Sequence, residues 1–199
     1  MEDTYKTIEK PSEGLFKDKG SRFLSFAFPV NSEEEIREIV HSIKKEHHSA
    51  RHHCYAWRLG AEKLLFRVND DGEPSSTGGK PILGQIQSFD LTNILIVVVR
   101  YFGGTLLGVS GLINAYRTAA LDAINQSEIV EKQVEKNLLI EFDYSVMNEV
   151  MKVFKDEKLV QIDPLFDLNC KIKTHIRLSE SDRIEQGLLK IESVRVILI

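Results

Sequence analysis

The sequence predicts an α+β fold in two domains, residues 1–131 and 132–199, and three features of its patterning lead there. Segments of strand composition alternate with segments of helical period throughout the chain. The charged stretch "SEIVEKQVEKN" breaks that alternation without a Gly or Pro and reads as a domain boundary. Beyond it the elements follow the order β-α-β-β-α-β, the split pattern of ferredoxin-like domains.

Taken in order, "RFLSFAFPV" (Arg22 to Val30) has strand composition with partial alternation. "NSEEEIREIVHSIKKEHH" reads as a helix, capped by Asn31 or Ser32, with acids in the first turn and Ile36, Ile39, Val40 and Ile43 as its apolar stripe. "HHCYAWRLG" and "EKLLFRV" are strands. The sixteen residues "NDDGEPSSTGGKPILG" hold four glycines and two prolines and form a long loop. "PILGQIQSF" starts a short helix with Pro81 in its first turn. "ILIVVVRYFGG" is a buried strand ending in a glycine turn, and a helix follows to about Gln126. In the second half, "KNLLIEFDY" is a strand and "SVMNEVMKVFKDE" a helix capped by Ser145. "KLVQID" and "DLNCKIKTHIRL" are strands, the second alternating Leu168, Cys170 and Ile172 against polar partners. "SESDRIEQGLLKI" is a helix capped by Ser179, and "SVRVILI" a last strand.

Composition narrows the function classes. The 199 residues are 42% hydrophobic and 28% charged, ordinary for a globular chain long enough to bury one large core or two small ones. A net charge of −4 argues against a strongly basic nucleic-acid coat but leaves a local basic patch open. Cys54 and Cys170 lie 116 positions apart and fit buried free thiols in a reducing compartment. The N-terminal "MEDTYKTIEKPSEG" has no signal-peptide core, and the run Ile94 to Val99 is too short to span a bilayer. A cytoplasmic protein with no membrane association is the expectation.

Two stretches could carry chemistry. Gly103 and Gly104 leave a buried strand, and Gly108 and Gly111 open the next helix, whose N-terminus can receive an anion. The spacing is neither G-x-G-x-x-G nor G-x-x-x-x-G-K-[ST], so the same glycines equally suit close packing of helix on sheet. Arg100, beside that turn, can grip phosphate or carboxylate in two-pronged fashion. Ser110, Asn114 and Arg117 form one polar stripe on the helix. In the loop, Asp70, Asp71 and Glu73 could offer oxygen ligands to a hard cation, although the calcium-loop pattern is absent, and "DDG" is equally a turn signal. Lys80 is a second candidate anion contact. Five of the six histidines fall between His41 and His53, yet none has zinc spacing. Cys54 and Ser110 lack a nucleophile setting, and Tyr55, Trp57, Tyr101, Phe102 and Tyr116 read as packing residues.

"ARHHCYAWRLG", "NDDGEPSSTGGKPIL" and "VVVRYFGGTLLGVSGLINAYRTAALDAI", in that order, resemble the IMPACT/YigZ family over about residues 15 to 127. The remainder resembles the C-terminal domain of its bacterial members. The resemblance implies a first domain like the second domain of ribosomal protein S5, and a second like the ferredoxin-like domains of elongation factor G. It also implies a role in translation, since eukaryotic members act in translational control. It places His52, Asp70, Asp71, Gly72, Glu73, Pro74, Gly79, Pro81, Arg100, Tyr101, Gly103, Gly104, Gly108, Gly111 and Tyr116 in a shared surface. Two positions depart from it: many relatives have a small Gly or Ala at Ser76 and a basic residue at Asn114.

The expectation is a non-enzymatic, translation-associated regulator. Its first domain would bind RNA, a ribosome or a translation-related protein through Arg100, Tyr101, Gly103, Gly104, Gly108, Gly111, Asn114, Arg117, Asp70, Asp71, Glu73, Lys80 and His52. No catalytic residue, cofactor or metal is expected. The alternatives are a protein-interaction module without a nucleic-acid role, and a metal-dependent hydrolase using Asp70, Asp71, Glu73 and His52.

Overall fold

The computed structural model describes residues 3–199, which fall into two compact units, Tyr5–Lys132 and Gln133–Ile199, the latter together with residues 3–4. In the first unit, apart from the end residues Thr4 and Gln133, β1 (Thr4–Ile8) pairs with β7 (Ile129–Gln133) in a two-stranded sheet. A five-stranded sheet contains β2 (Ser12–Asp18), β3 (Ser21–Pro29), β4 (His52–Leu59), β5 (Leu65–Asn69) and β6 (Ile94–Tyr101), in the order β2-β3-β6-β4-β5 with antiparallel neighbours.

β6 is central because its branched side chains need cover on both faces. Leu95, Val97 and Val99 join Phe26 and Trp57 beneath α1 (Glu33–Glu46). Ile94, Ile96 and Val98 join Phe23, Cys54 and Ala56 beneath α2 (Gly79–Ser88) and α3 (Gly108–Asn125). α1 starts where its sequence signals it. Ser32 Oγ accepts from Glu35 N at 3.2 Å, and Glu35 reaches back to Asn31 N at 2.8 Å.

In the second unit β8 (Glu135–Asp143), α4 (Met147–Asp156), β9 (Ile162–Leu165), β10 (Asn169–Arg177), α5 (Leu178–Leu189) and β11 (Arg195–Leu198) build a sheet of order β11-β8-β10-β9. Counted within the unit that is 4-1-3-2, the ferredoxin-like order. Leu138, Ile140, Phe142, Cys170, Ile172 and Ile176 face Val150 and Phe154 of α4 and Ile184 and Leu188 of α5.

Several local expectations change. β1, β2 and β7 were not apparent from composition, and the charged stretch read as a boundary contains β7 and the start of β8. Neither Ser145 nor Ser179 caps a helix. A 3₁₀ turn at Tyr144–Val146 leads into α4, while α5 begins directly after Arg177. Leu168 precedes β10 and is 82% exposed, so Thr174 and Ile176 continue the buried parity instead. Among the described residues no helix is long and apolar enough to cross a membrane.

Candidate binding cleft

Arg100 sits on the parity of Ile94, Ile96 and Val98, so β6 points a charged side chain towards α3. Strand register sets it between Phe23 of β3 and His52 of β4, one row across three strands. A guanidinium held there needs a counter-charge, because an unpaired buried ion is strongly disfavoured. Glu73 supplies it. Arg100 Nη1 donates to Glu73 Oε1 at 2.6 Å, and Tyr116 Oη donates to the same oxygen at 2.8 Å. The two ionic side chains are only 7% and 3% exposed. The guanidinium carbon lies 5.6 Å from the ring centres of both Phe23 and Phe102. Burial, then Cys54 and Glu73, raise the Tyr116 pKa, so the phenol stays a donor. Arg100 Nε is buried with no partner among the described residues.

The loop delivers Glu73 by spending its other two acids on itself and its neighbours. Asp70 Oδ1 accepts from Gly78 N at 2.9 Å and Gly79 N at 2.8 Å, and its Oδ2 from Ser76 N at 2.8 Å. Asp71 accepts from Lys44 Nζ at 2.6 Å and from His53 N at 2.7 Å. Burial alone would raise the Asp71 pKa, but the hydrogen bonds from Lys44 and His53 outweigh it and hold the carboxyl below its ordinary value. His52 Nδ1 donates to the Asp71 carbonyl oxygen at 2.9 Å, which leaves Nε2 of the neutral ring an acceptor. Cys54 Sγ donates to the Asp70 carbonyl at 3.0 Å, and burial pushes its thiol pKa far up.

The glycine turn has a different logic from close helix-on-sheet packing. A Cβ on Gly103 would collide with the backbone of Gly20 and Ser21, so this glycine lets the end of β6 approach the β2–β3 turn. Gly108 has φ +72 with nothing close to a Cβ, and Gly111 would meet only Leu107. α3 therefore begins from a left-handed glycine. Leu107, its N-cap, contributes no side-chain hydrogen bond.

A cleft of about 370 Å³ opens above this arrangement. His52, Glu73 and Arg100 line it, with Arg51 and Pro74. Phe102, Leu106, Val109 and Leu112 line it as well, and Leu106 is 83% exposed, Val109 58% and Phe102 47%.

Of the residues expected in a binding surface, the cleft brings together His52, Glu73, Arg100 and Gly108. The others lie elsewhere. Tyr101 packs on the α1 face, its hydroxyl 2.9 Å from His47 Nδ1. Asn114 and Arg117 are exposed and bonded to each other at 3.0 Å. Lys80 is exposed at the start of α2. Gly103 and Gly104 form the turn and Gly111 the first coil of α3, while Asp70 and Asp71 hold the loop. Among the described residues no three His, Cys, Asp or Glu side chains are grouped to hold a metal ion. Arg51, Phe102, Leu106, Val109 and the Tyr116 hydroxyl are the contributions that sequence reasoning missed. Exposed apolar residues inside a glycine turn were the available signal for three of them. A larger hollow of about 480 Å³ on the second unit is lined by Glu141, Asp143, Lys171 and Arg195, but there Lys171 pairs with Glu141.

A family model, the Impact N-terminal domain, matches residues 19–124. The IMPACT family member YigZ of Escherichia coli (strain K12) is 34% identical over 149 residues, 73% of each chain. An IMPACT family member of Haemophilus influenzae is 33% identical over 183 residues, covering 90% of this chain and 88% of its own. Among solved structures, the crystal structure of a hypothetical protein superposes with a TM-score of 0.77 at 26% identity, covering 100% of this chain and 98% of the other.

Proposed function

The chain belongs to the IMPACT family, and from that premise we propose that it is a non-enzymatic, translation-associated regulator of the cytoplasm whose N-terminal domain binds a protein partner through the Arg100 cleft. The translational part rests on the family, whose eukaryotic members act in translational control. The choice of a protein partner rests on one observation: Arg100 already has a carboxylate, Glu73, while Phe102, Leu106 and Val109 in the same cleft are exposed and apolar. A phosphate approaching this arginine meets a neutralised charge, with Asn114 in place of the cation many relatives carry, and with Lys80 and Arg117 outside the cleft. Binding is favoured over catalysis because Asp70, Asp71 and Glu73 are each occupied by two or three donors, and because Cys54 is fully buried.

Affinity capture from a translating extract, with and without nuclease, tests this reading. Translation components are expected to co-purify after nuclease treatment and to be lost on Leu106→Ser, a substitution at an exposed position. Capture of no translation component overturns the translational role. Capture that disappears with nuclease overturns the protein partner in favour of RNA.

A further inference from the structure

The geometry points to a specific occupant, and we propose that the cleft takes a segment of a protein partner in which a large apolar side chain stands beside an acidic one. This rests on the cleft being the protein-binding site.

Its floor is electrically balanced. Glu73 and Arg100 cancel in charge, yet hydrogen-bonding capacity is left over on both. Arg100 Nε is buried without a partner, and both bonds to Glu73 converge on Oε1, so that Oε2 receives no bond among the described residues. A floor with no net charge and with Glu73 Oε2 as a remaining acceptor suits the N–H of a peptide group. It suits a phosphate poorly, since a phosphate has only acceptors and a charge that Glu73 would repel.

One wall is apolar. Phe102, Leu106 and Val109 stand open beside the floor, where a large apolar side chain would remove their surface from water together with its own. A few side chains buried in well-packed pockets, aromatic ones prominent among them, carry most of the affinity of protein interfaces.

The rim is positive. Arg51 is exposed, lines the cleft and makes no ion pair among the described residues. The start of α3, an 18-residue helix, also lines it and has no side-chain cap, so the positive end of its dipole lies beside the cleft. An acidic side chain next to the apolar anchor meets both, and such charge complementarity sets register and partner choice. One unpaired arginine is a poor platform for a polyanion, whose binding draws on many phosphate contacts.

Fluorescence anisotropy with the full chain tests the assignment. The probe is a labelled eight-residue peptide holding phenylalanine beside aspartate in a glycine–serine background. Its controls carry asparagine for aspartate or serine for phenylalanine, and a single-stranded RNA of eight nucleotides is titrated in parallel. The parent peptide is expected to bind, and each control to bind about tenfold more weakly or worse. Leu106→Ser and Arg51→Ala are expected to weaken the parent similarly while leaving thermal unfolding unchanged. Arg51→Ala is expected to have no effect on the asparagine control. Equal binding of parent and controls, or RNA binding tighter than the parent and unmoved by Leu106→Ser, overturns the proposal. If the peptides do not discriminate while Leu106→Ser still abolishes capture of translation components, this ligand class fails and the protein-partner reading stands. If neither responds, both fail.

Discussion

Removing the Glu73 carboxylate tests the architecture of the cleft floor. In Glu73→Ala, Arg100 keeps its position on the inward parity of β6 but loses the oxygen 2.6 Å away, and Tyr116 loses its acceptor at 2.8 Å. Both side chains of the ion pair are more than nine-tenths buried, so water cannot readily replace the carboxylate. Breaking such a pair from one side costs about 3–5 kcal/mol, mostly the desolvation of the charge left behind. The orphaned Tyr116 hydroxyl is already within that range, since one deletion removes both bonds. At about 4 °C per kcal/mol for a unit of this size, the midpoint is expected to fall by about 12–20 °C. Glu73→Gln keeps an acceptor and loses only the charge, so its cost is expected to be smaller. The double substitution Glu73→Leu with Arg100→Leu removes both charges. It is expected to cost less than either single change, because replacing a whole buried pair by apolar groups is near neutral. Urea unfolding followed by circular dichroism measures these variants, and Glu73→Leu and Arg100→Leu made singly complete the double-mutant cycle. A loss below about 1 kcal/mol for Glu73→Ala, or a double mutant as unstable as the sum of the singles, would refute a desolvated pair at the floor.

Further outcomes concern the loop and the turn. Asp71 has a folded pKa below its ordinary value, so it stabilises the fold above about pH 4, and that contribution is lost as pH falls through the lowered value. Asp71→Asn is therefore expected to flatten the acid limb of stability against pH, measured by urea midpoints between pH 3 and pH 7, a range chosen to bracket carboxylate titration. Ser76 holds φ +66 in the loop, where a glycine carries no side-chain strain, so Ser76→Gly is expected to raise stability by up to about 1 kcal/mol in thermal unfolding. Gly103→Ala forces a methyl into the backbone of Gly20 and Ser21 and is expected to cost about 1–3 kcal/mol or more by the same measurement. Cys54, buried and pushed up in pKa, is expected to resist iodoacetamide in the folded chain and to react once the chain is unfolded in urea.

The sheet and helices were legible wherever side-chain periodicity is strong. The double-sided burial of Ile94 to Val99 marked the central strand, and the stripe Leu112, Tyr116, Ala119 and Ala123 marked α3. β2 was not legible, because an edge strand such as "SEGLFKD" needs only its partner's hydrogen bonds and little apolar surface. Ser145 and Ser179 looked like caps from local composition, but α4 and α5 start from a 3₁₀ turn and from a strand end, geometry that packing decides. At the candidate site, Arg100 read as a grip for phosphate or carboxylate; the carboxylate it holds is the chain's own Glu73, and its position on the inward parity of β6 held that clue. Nothing local to Glu73 reveals that it is the partner, 27 positions away, because loop closure brings the two together. The hydroxyl of Tyr116 was hidden for the opposite reason, since its ring obeys the apolar stripe so well that its polar end drew no notice.

The central claim is that partners are received in the cleft between the Arg100–Glu73 floor and the start of α3. Backbone amide NMR shifts, recorded while the aspartate–phenylalanine peptide is titrated into the full chain, locate the contact directly. The largest shifts are expected at Arg51, His52 and from Phe102 to Val109, and they are expected to vanish in Leu106→Ser. Shifts centred on the α1 face of the sheet or on the second unit, or shifts that survive Leu106→Ser, would contradict it.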